Sequence, residues 1–305
     1  MSASCPPILL VFFNRPDVLR KNIQALSHIA PRQLFLAGDG QRQGVPTDRR
    51  LIEECRCIAE QIVDWDCNVE TLFADCNYGC DDWVPKAITW FFSKVESGII
   101  LEDDCIIDDG FVRFASELLE KYKDEHRVMN ISAANFQDRV WGDGDYYFSL
   151  YPANWGWASW ARAWRVYDGH LERIERFMKE PGGLTSLITD SEQRRYWTRF
   201  YKMLLKGKYT FWDAKWLLSM WCSKGVSITP NGNLVRNIGF GVDATHTKDM
   251  SDGVQLEIED IGDVIAHPFQ GLEVCAGADR YLFESRYRPK LSARVRSLMA
   301  RMLGR

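Results

Sequence analysis

No run of apolar residues in this chain approaches the roughly 20 that a helix needs to cross a bilayer. The chain also lacks an excess of one charge. Its 38 Lys and Arg against 42 Asp and Glu leave a net charge of −4. A nucleic-acid binder normally carries a basic balance, so nucleic acid is set aside as a partner. Histidine is scarce, with five in 305 residues, which argues against a metal-dependent phosphohydrolase built on a rich His and Asp ligand set. There is no Gly-x-x-x-x-Gly-Lys loop, no Gly-x-Gly-x-x-Gly opening a helix after the first strand, and no Gly-x-Ser-x-Gly elbow. The nine cysteines form no framework. An odd, scattered set in a chain of this length points to reduced thiols and a cytoplasmic protein. Cys76 and Cys80 have no second pair at zinc spacing, so the cysteines read as small buried hydrophobes.

The apolar run Ile8 to Phe13 is too short for a signal-peptide core, has no basic residue before it, and reads as a buried first strand. Pro16 then opens a helix over Asp17 to His28. A second strand, Leu34 to Ala37, ends in Gly38-Asp39-Gly40, and Thr47 is placed as the cap of a helix reaching Ile62. A third strand covers Asn68 to Ala74. Asp81-Asp82 starts a helix whose Val84, Ile88, Phe91 and Val95 share one face. Gly98 to Leu101 is a fourth strand, cut off by Glu102-Asp103-Asp104. Asp108 caps a helix to Tyr122, and Val128 to Ser132 is a fifth strand. Such alternation predicts a mostly parallel sheet with helices on both faces. Ligands of these sheets lie beyond the carboxyl ends of the strands. Three polar clusters fall there: Phe13-Asn14-Arg15, Gly38-Asp39-Gly40 and the acidic triplet.

Three successive carboxylates repel one another. A hard divalent cation relieves that repulsion and can hold a substrate diphosphate at the same point. Arg15 suits bidentate contact with a phosphate. Asp39 can accept from a base or a ribose. A solvated acidic turn is the competing reading of the triplet, and helix capping is the competing reading of Asp213.

Gly98-Ile-Ile-Leu-Glu-Asp-Asp104, Val11-Phe-Phe-Asn-Arg-Pro16, Asn77-Tyr-Gly79, Trp155-Gly-Trp157 and Asn237-Ile-Gly-Phe-Gly241 with Ala244-Thr-His-Thr247 carry a family resemblance. Together they resemble a bacterial group of nucleotide-diphospho-sugar transferases similar to eukaryotic N-acetylglucosaminyltransferase I. The resemblance spans about Pro7 to Pro268. It implies a GT-A fold, a UDP-sugar donor, a glycan acceptor, and transfer with inversion. It implies Mn2+ or Mg2+ at Asp104, a ribose contact at Asp103 and a donor-sugar contact at Glu102. Phe13, Arg15 and Asn77 fall on its donor side, with Arg15 on the diphosphate and Asp39 on the uracil edge. Phe211-Trp212-Asp213 resembles the segment bearing the catalytic base, but Ala214-Lys215-Trp216 departs from the relatives, which have an acidic residue and then Trp. A base flanked by Trp212 and Trp216 is expected to be desolvated. His246 falls where the relatives close over the donor, as a candidate metal contact.

Trp155, Trp157 and Trp212 are candidates for an acceptor platform, with core packing as the alternative. The division expected is a nucleotide-sugar half at 1–135, an acceptor-side half at 136–268 and a basic tail at 269–305. From Arg286 onward that tail carries seven Lys and Arg and no acid, and Leu291, Val295, Leu298 and Met302 fall at helical spacing. It is a candidate for lying on an anionic inner-membrane surface beside a lipid-linked glycan, or for packing on its own domain. Polysaccharide biosynthesis is the expected setting, and a non-catalytic nucleotide-sugar-binding protein is the main alternative.

Overall fold

The computed structural model describes residues 5–239, 256–262, 264–268 and 271–288. The first half alternates as the sequence pattern demands. β1 (Ile8–Phe12), β2 (Gln33–Gly38), β3 (Asn68–Phe73) and β4 (Ser97–Glu102) are separated by α1 (Pro16–Ile29), α2 (Pro46–Gln61) and α3 (Cys80–Phe92). Every residue of β1 is buried, which is why that strand reads as a continuous apolar run. Pro16 stands in the first turn of α1 as expected. α2 starts earlier than its Thr47 cap would have it. Pro46 opens that helix, because a residue with fixed φ and no N–H suits a position whose N–H has no partner.

The second half adds β5 (Cys105–Ile107), α4 (Asp109–Lys121), β6 (Val128–Ser132), β7 (Tyr146–Ser149), β8 (Trp157–Trp160) and α5 (Ala161–Trp164). Then come α6 (Glu172–Lys179), α7 (Ser191–Leu205), α8 (Trp212–Cys222), β9 (Val226–Pro230), β10 (Val235–Asn237) and α9 (Ala276–Leu282). Asp108 caps α4 by accepting from the amides of Gly110 and Phe111, as its place before Phe111 predicts.

Eight strands form one sheet in the order β3-β2-β1-β4-β8-β6-β9-β7, and β5 pairs with β10 in a separate ribbon. β3, β2, β1 and β4 run parallel, whereas β8 is antiparallel to both β4 and β6. β9 follows β6, and β7 opposes β9. The sheet is therefore mostly parallel, with two reversed strands. Right-handed crossovers carry α1 and α2 over one face as the chain steps from β1 to β3. The return step to β4 puts α3 on the other face, where it meets α5 and α8. The expected α/β architecture holds.

Trp157, Trp164, Trp212 and Trp216 stack together beneath α8, with the Trp157 ring 6.2 Å from Trp212 and 5.9 Å from Trp216. Trp157 is 1% exposed, which removes it from the acceptor platform expected of it. On β8 it faces the helices that cover the sheet. Residues 271–288, expected as the start of a basic tail, belong to the fold: Cys275 donates its amide to the Phe148 carbonyl at 2.8 Å. Residues 289–305 lie outside the described residues. Among the described residues no helix is long and apolar enough to cross a membrane.

Asp279 fastens α9 to the sheet, accepting from the Ser149 hydroxyl and from the Leu150 amide at 3.0 Å. Burial pushes its carboxyl from an ordinary 3.8 up to about 7. The folded chain thus holds that proton more tightly than the unfolded chain, whose Asp titrates near 3.9. The stabilising contribution is complete below about pH 4 and is lost as pH rises toward 7. Asp279→Asn is expected to flatten thermal stability across that window, to melt higher than the wild type above pH 7, and to converge with it below pH 4. Parallel melting curves across the window measure the difference.

Candidate functional site

The ends of β1, β2 and β4 lie side by side because Phe12 is level with Gly38 and Val11 with Glu102. The three polar clusters that follow those strands therefore meet at one edge. Asp103 continues the ladder with its amide on the Val11 carbonyl at 2.9 Å, and Asp39 does the same toward Phe12 at 3.2 Å. Asn22, buried on α1, donates to the carbonyls of Asp103 at 3.1 Å and Cys105 at 2.8 Å and so fixes the turn that carries the triplet.

Arg15 lies at the centre. Its Nε donates to Asp103 at 3.2 Å, and its Nη2 donates to both Asp103 and Asp104, the latter at 2.9 Å. It was expected on a diphosphate; in the protein alone it holds the acids. One guanidinium does not balance them. Burial, then Asp104, Asp103 and Asp213, push Glu102 up to about 8. Burial pushes Asp103 up to about 6 against the pull of Arg15. Four carboxyls thus act on one another around one cation.

Asp104 is positioned from both sides. Ile238 donates its amide to the Asp104 carbonyl at 2.8 Å, and Asn237 Nδ2 lies 3.4 Å from Oδ1. A side chain at 239 would put its Cβ 2.1 Å from the Asp104 carboxylate, so only glycine lets the chain pass there. Among the described residues no group of three His, Cys, Asp or Glu side chains forms a metal-binding cluster. His246 lies outside the described residues.

Two cavities flank the triplet. The first, about 770 Å³, is walled by Phe13, Arg15, Asp39, Arg42, Asn77, Trp83, Glu102 and Asp103, among others. All six donor-side residues expected from the sequence are in that wall. Asp39 builds part of it, accepting on Oδ1 from the amides of Gly40 and Tyr78 and on Oδ2 from Asn77 Nδ2 and the Gly79 amide. A carboxylate has about four acceptor positions, so its own chain fills them. Gly79 bends with φ of +76°, a region that favours glycine. Arg42 pairs with buried Asp48 at 2.7 Å and lies 5.2 Å above the Phe13 ring.

The second cavity, about 420 Å³, is walled by Glu102, Asp104, Asn154, Trp155, Trp212, Asp213, Arg286 and Tyr287, among others. Arg15, Cys80 and Glu102 line both, so the partition is one side chain thick. Asp213 is exposed on the first turn of α8, and its carboxylate accepts from the Ala214 amide at 2.8 Å. Phe211 is the cap residue, which leaves Asp213 inside the helix. The desolvation expected from flanking tryptophans does not occur, because Trp212 and Trp216 turn into the core. Trp155 is half-buried in the cavity wall, and Trp212 reaches the wall from beneath.

Sequence reasoning missed Asn22, Arg42, Cys80, Asn154, Arg286 and Tyr287. None stands in a motif, and the last two reach the site only through the docking of α9.

No family model matches the chain, and no curated protein matches it in sequence. Among solved structures, HddC from Yersinia pseudotuberculosis aligns over 52% of this chain and 77% of its own, at 9% identity and a TM-score of 0.31. A putative glucose-1-phosphate thymidylyltransferase from Bacillus anthracis, in complex with a sucrose, aligns over 63% and 83%, at 8% identity and a TM-score of 0.32. Mouse xyloside xylosyltransferase 1 in its apo form aligns over 70% and 80%, at 12% identity and a TM-score of 0.32.

Proposed function

We propose that this chain is an inverting glycosyltransferase that takes a sugar from a nucleotide-diphosphate donor, a UDP-sugar in the first instance, and passes it to a glycan hydroxyl. One observation carries the reading. Two adjoining cavities of about 770 and 420 Å³, both within the range of ligand pockets, share Arg15, Cys80 and Glu102, with Asp103 in the wall of the first and Asp104 in that of the second. A nucleotidyltransferase needs a glycine-rich, basic loop after the first strand, and here that stretch is Phe13 to Asp17 leading into the proline start of α1.

In this reading Phe13, Arg15, Asn77 and Asp103 hold the nucleotide, and Asp39 shapes the wall around the base. Glu102 faces the donor sugar from the partition. Asp213 approaches from the acceptor side and takes the proton of the attacking hydroxyl. That oxygen bonds to the anomeric carbon as the bond to the diphosphate breaks on the opposite face. The base needs no covalent role. The excess of carboxyls over Arg15 suits a divalent cation, Mn2+ or Mg2+, with Asp104 as its protein ligand and His246 as a second candidate. Such a cation takes one or two carboxylates and completes its shell with water and substrate phosphate, so a protein cluster of three is not required. Once bound it would supply charge for the departing diphosphate.

Calorimetric titration with UDP, with and without Mn2+, beside a turnover screen of UDP-sugars, tests the assignment. UDP binding strengthened by Mn2+, together with release of UDP from one sugar donor, is the expected result. Binding without turnover of any donor would make the chain a nucleotide-sugar-binding protein; absence of binding would overturn the reading altogether.

A further inference from the structure

The wall of the second cavity carries the acids Glu102, Asp104 and Asp213 and also the exposed cation Arg286. α9 continues into one π-helical turn, Phe283–Tyr287, which puts both Arg286 and Tyr287 in the cavity wall. Single π turns often mark functional sites, because the added residue re-aims the side chains. The Arg286 guanidinium lies 4.0 Å from the centre of the Phe136 ring. Phe136 stands in the same wall and meets Trp155 edge-to-face at 5.1 Å. Arg286 has no ion pair or hydrogen bond among the described residues. Every other arginine in the cavity walls does have one: Arg15 holds Asp103 and Asp104, and Arg42 holds Asp48. Arg288, two residues on, pairs with Glu192 at 3.0 Å.

A guanidinium stacked on an aromatic face keeps its in-plane N–H groups for a ligand. Arg286 is exposed, so water meets its charge until an anion replaces that water in a charge-assisted pair. A second polar group lines the same cavity. The Asn154 side-chain carbonyl is buried, has no partner among the described residues, and can accept from a hydroxyl or an N–H of a ligand in the cavity.

We infer that the acceptor is an anionic glycan whose carboxylate or phosphate pairs with Arg286, while a neighbouring hydroxyl donates to Asn154. This deepens the glycosyltransferase reading and rests on it. The charges in the wall then impose an orientation. The acids Glu102 and Asp104 repel the anionic group and Arg286 holds it, leaving a hydroxyl of the sugar directed toward Asp213. Arg286 is absent from the wall of the nucleotide-side cavity, so its partner is the acceptor rather than the donor diphosphate.

Three methyl β-D-glucosides test the inference: the neutral glucoside, its 6-carboxylate (the glucuronide) and its 6-phosphate. Each is titrated into the full-length protein saturated with UDP and Mn2+, and into Arg286→Gln. At least one anionic glycoside is expected to bind about tenfold or more tightly than the neutral one, as a charge-assisted pair implies. Arg286→Gln is expected to abolish that preference and to leave UDP affinity within about twofold. The carboxylate and phosphate arms show which anion is read. Equal binding of all three, including no measurable binding of any, overturns the inference, as does a preference that survives in Arg286→Gln. UDP titration without glycoside separates this from the donor assignment. Failure of UDP to bind while the anion preference persists strikes the donor assignment alone.

Discussion

Asp213→Ala is expected to lower the proposed sugar transfer by about 10²–10⁴-fold, the range a positioned general base contributes, and to leave UDP affinity unchanged. The separation follows from the walls. Asp213 belongs to the acceptor-side cavity and is absent from the nucleotide-side one. It nevertheless lies close enough to the partition to act electrostatically on Glu102. Its loss is not a folding defect, because the residue is exposed on a helix whose anchoring faces belong to Trp212 and Trp216. Removal of an acid from the first turn costs about 0.3–1 kcal/mol through the helix dipole. Single-turnover transfer beside UDP titration measures both quantities. A variant with near wild-type transfer would remove Asp213 from the mechanism and leave the acceptor cavity without a base.

Asp104→Ala gives the complementary result. UDP binding is expected to lose the proposed dependence on Mn2+, a fall of at least about tenfold in affinity at saturating metal, or about 1.4 kcal/mol. Without metal, variant and wild type bind UDP alike. The design rests on Asp104 being held in place rather than free to be replaced. Arg15, Asn237 and the backbone of Ile238 fix it from three directions, and Gly239 closes against it. Stability is not expected to fall, since the substitution removes a neighbour that repels Glu102. Titration of both proteins with UDP at zero and saturating Mn2+ decides. An undiminished effect of Mn2+ in Asp104→Ala would assign the cation elsewhere.

The donor edge was legible because it is local. Strand, polar cluster and helix succeed one another within a few residues at Phe13–Arg15, Asp39 and Glu102–Asp104, and parallel pairing brings strand ends together with no further information. β7 and β8 were not legible. Each has four residues, all buried, within an aromatic stretch that shows neither alternation nor helical spacing. β5 is three residues, too short for periodicity, and its pairing with β10 spans more than 120 positions. The second cavity depends on that pairing and on α9, so its residues come from eight separated segments. Trp157 shows the limit of composition. A tryptophan suits a sugar platform and a core equally well, and only the facing of β8 decides.

The way Asp39 is used bears on how this surface changes over time. Residues 77–79 give three of their donors to one carboxylate, and Tyr78 also stacks on Trp83 at 5.9 Å. A loop whose backbone amides are fixed from a neighbouring strand end can alter its exposed side chains without disturbing the sheet beneath. The wall of the first cavity can therefore be recut while the fold stays as it is, provided position 39 does not change.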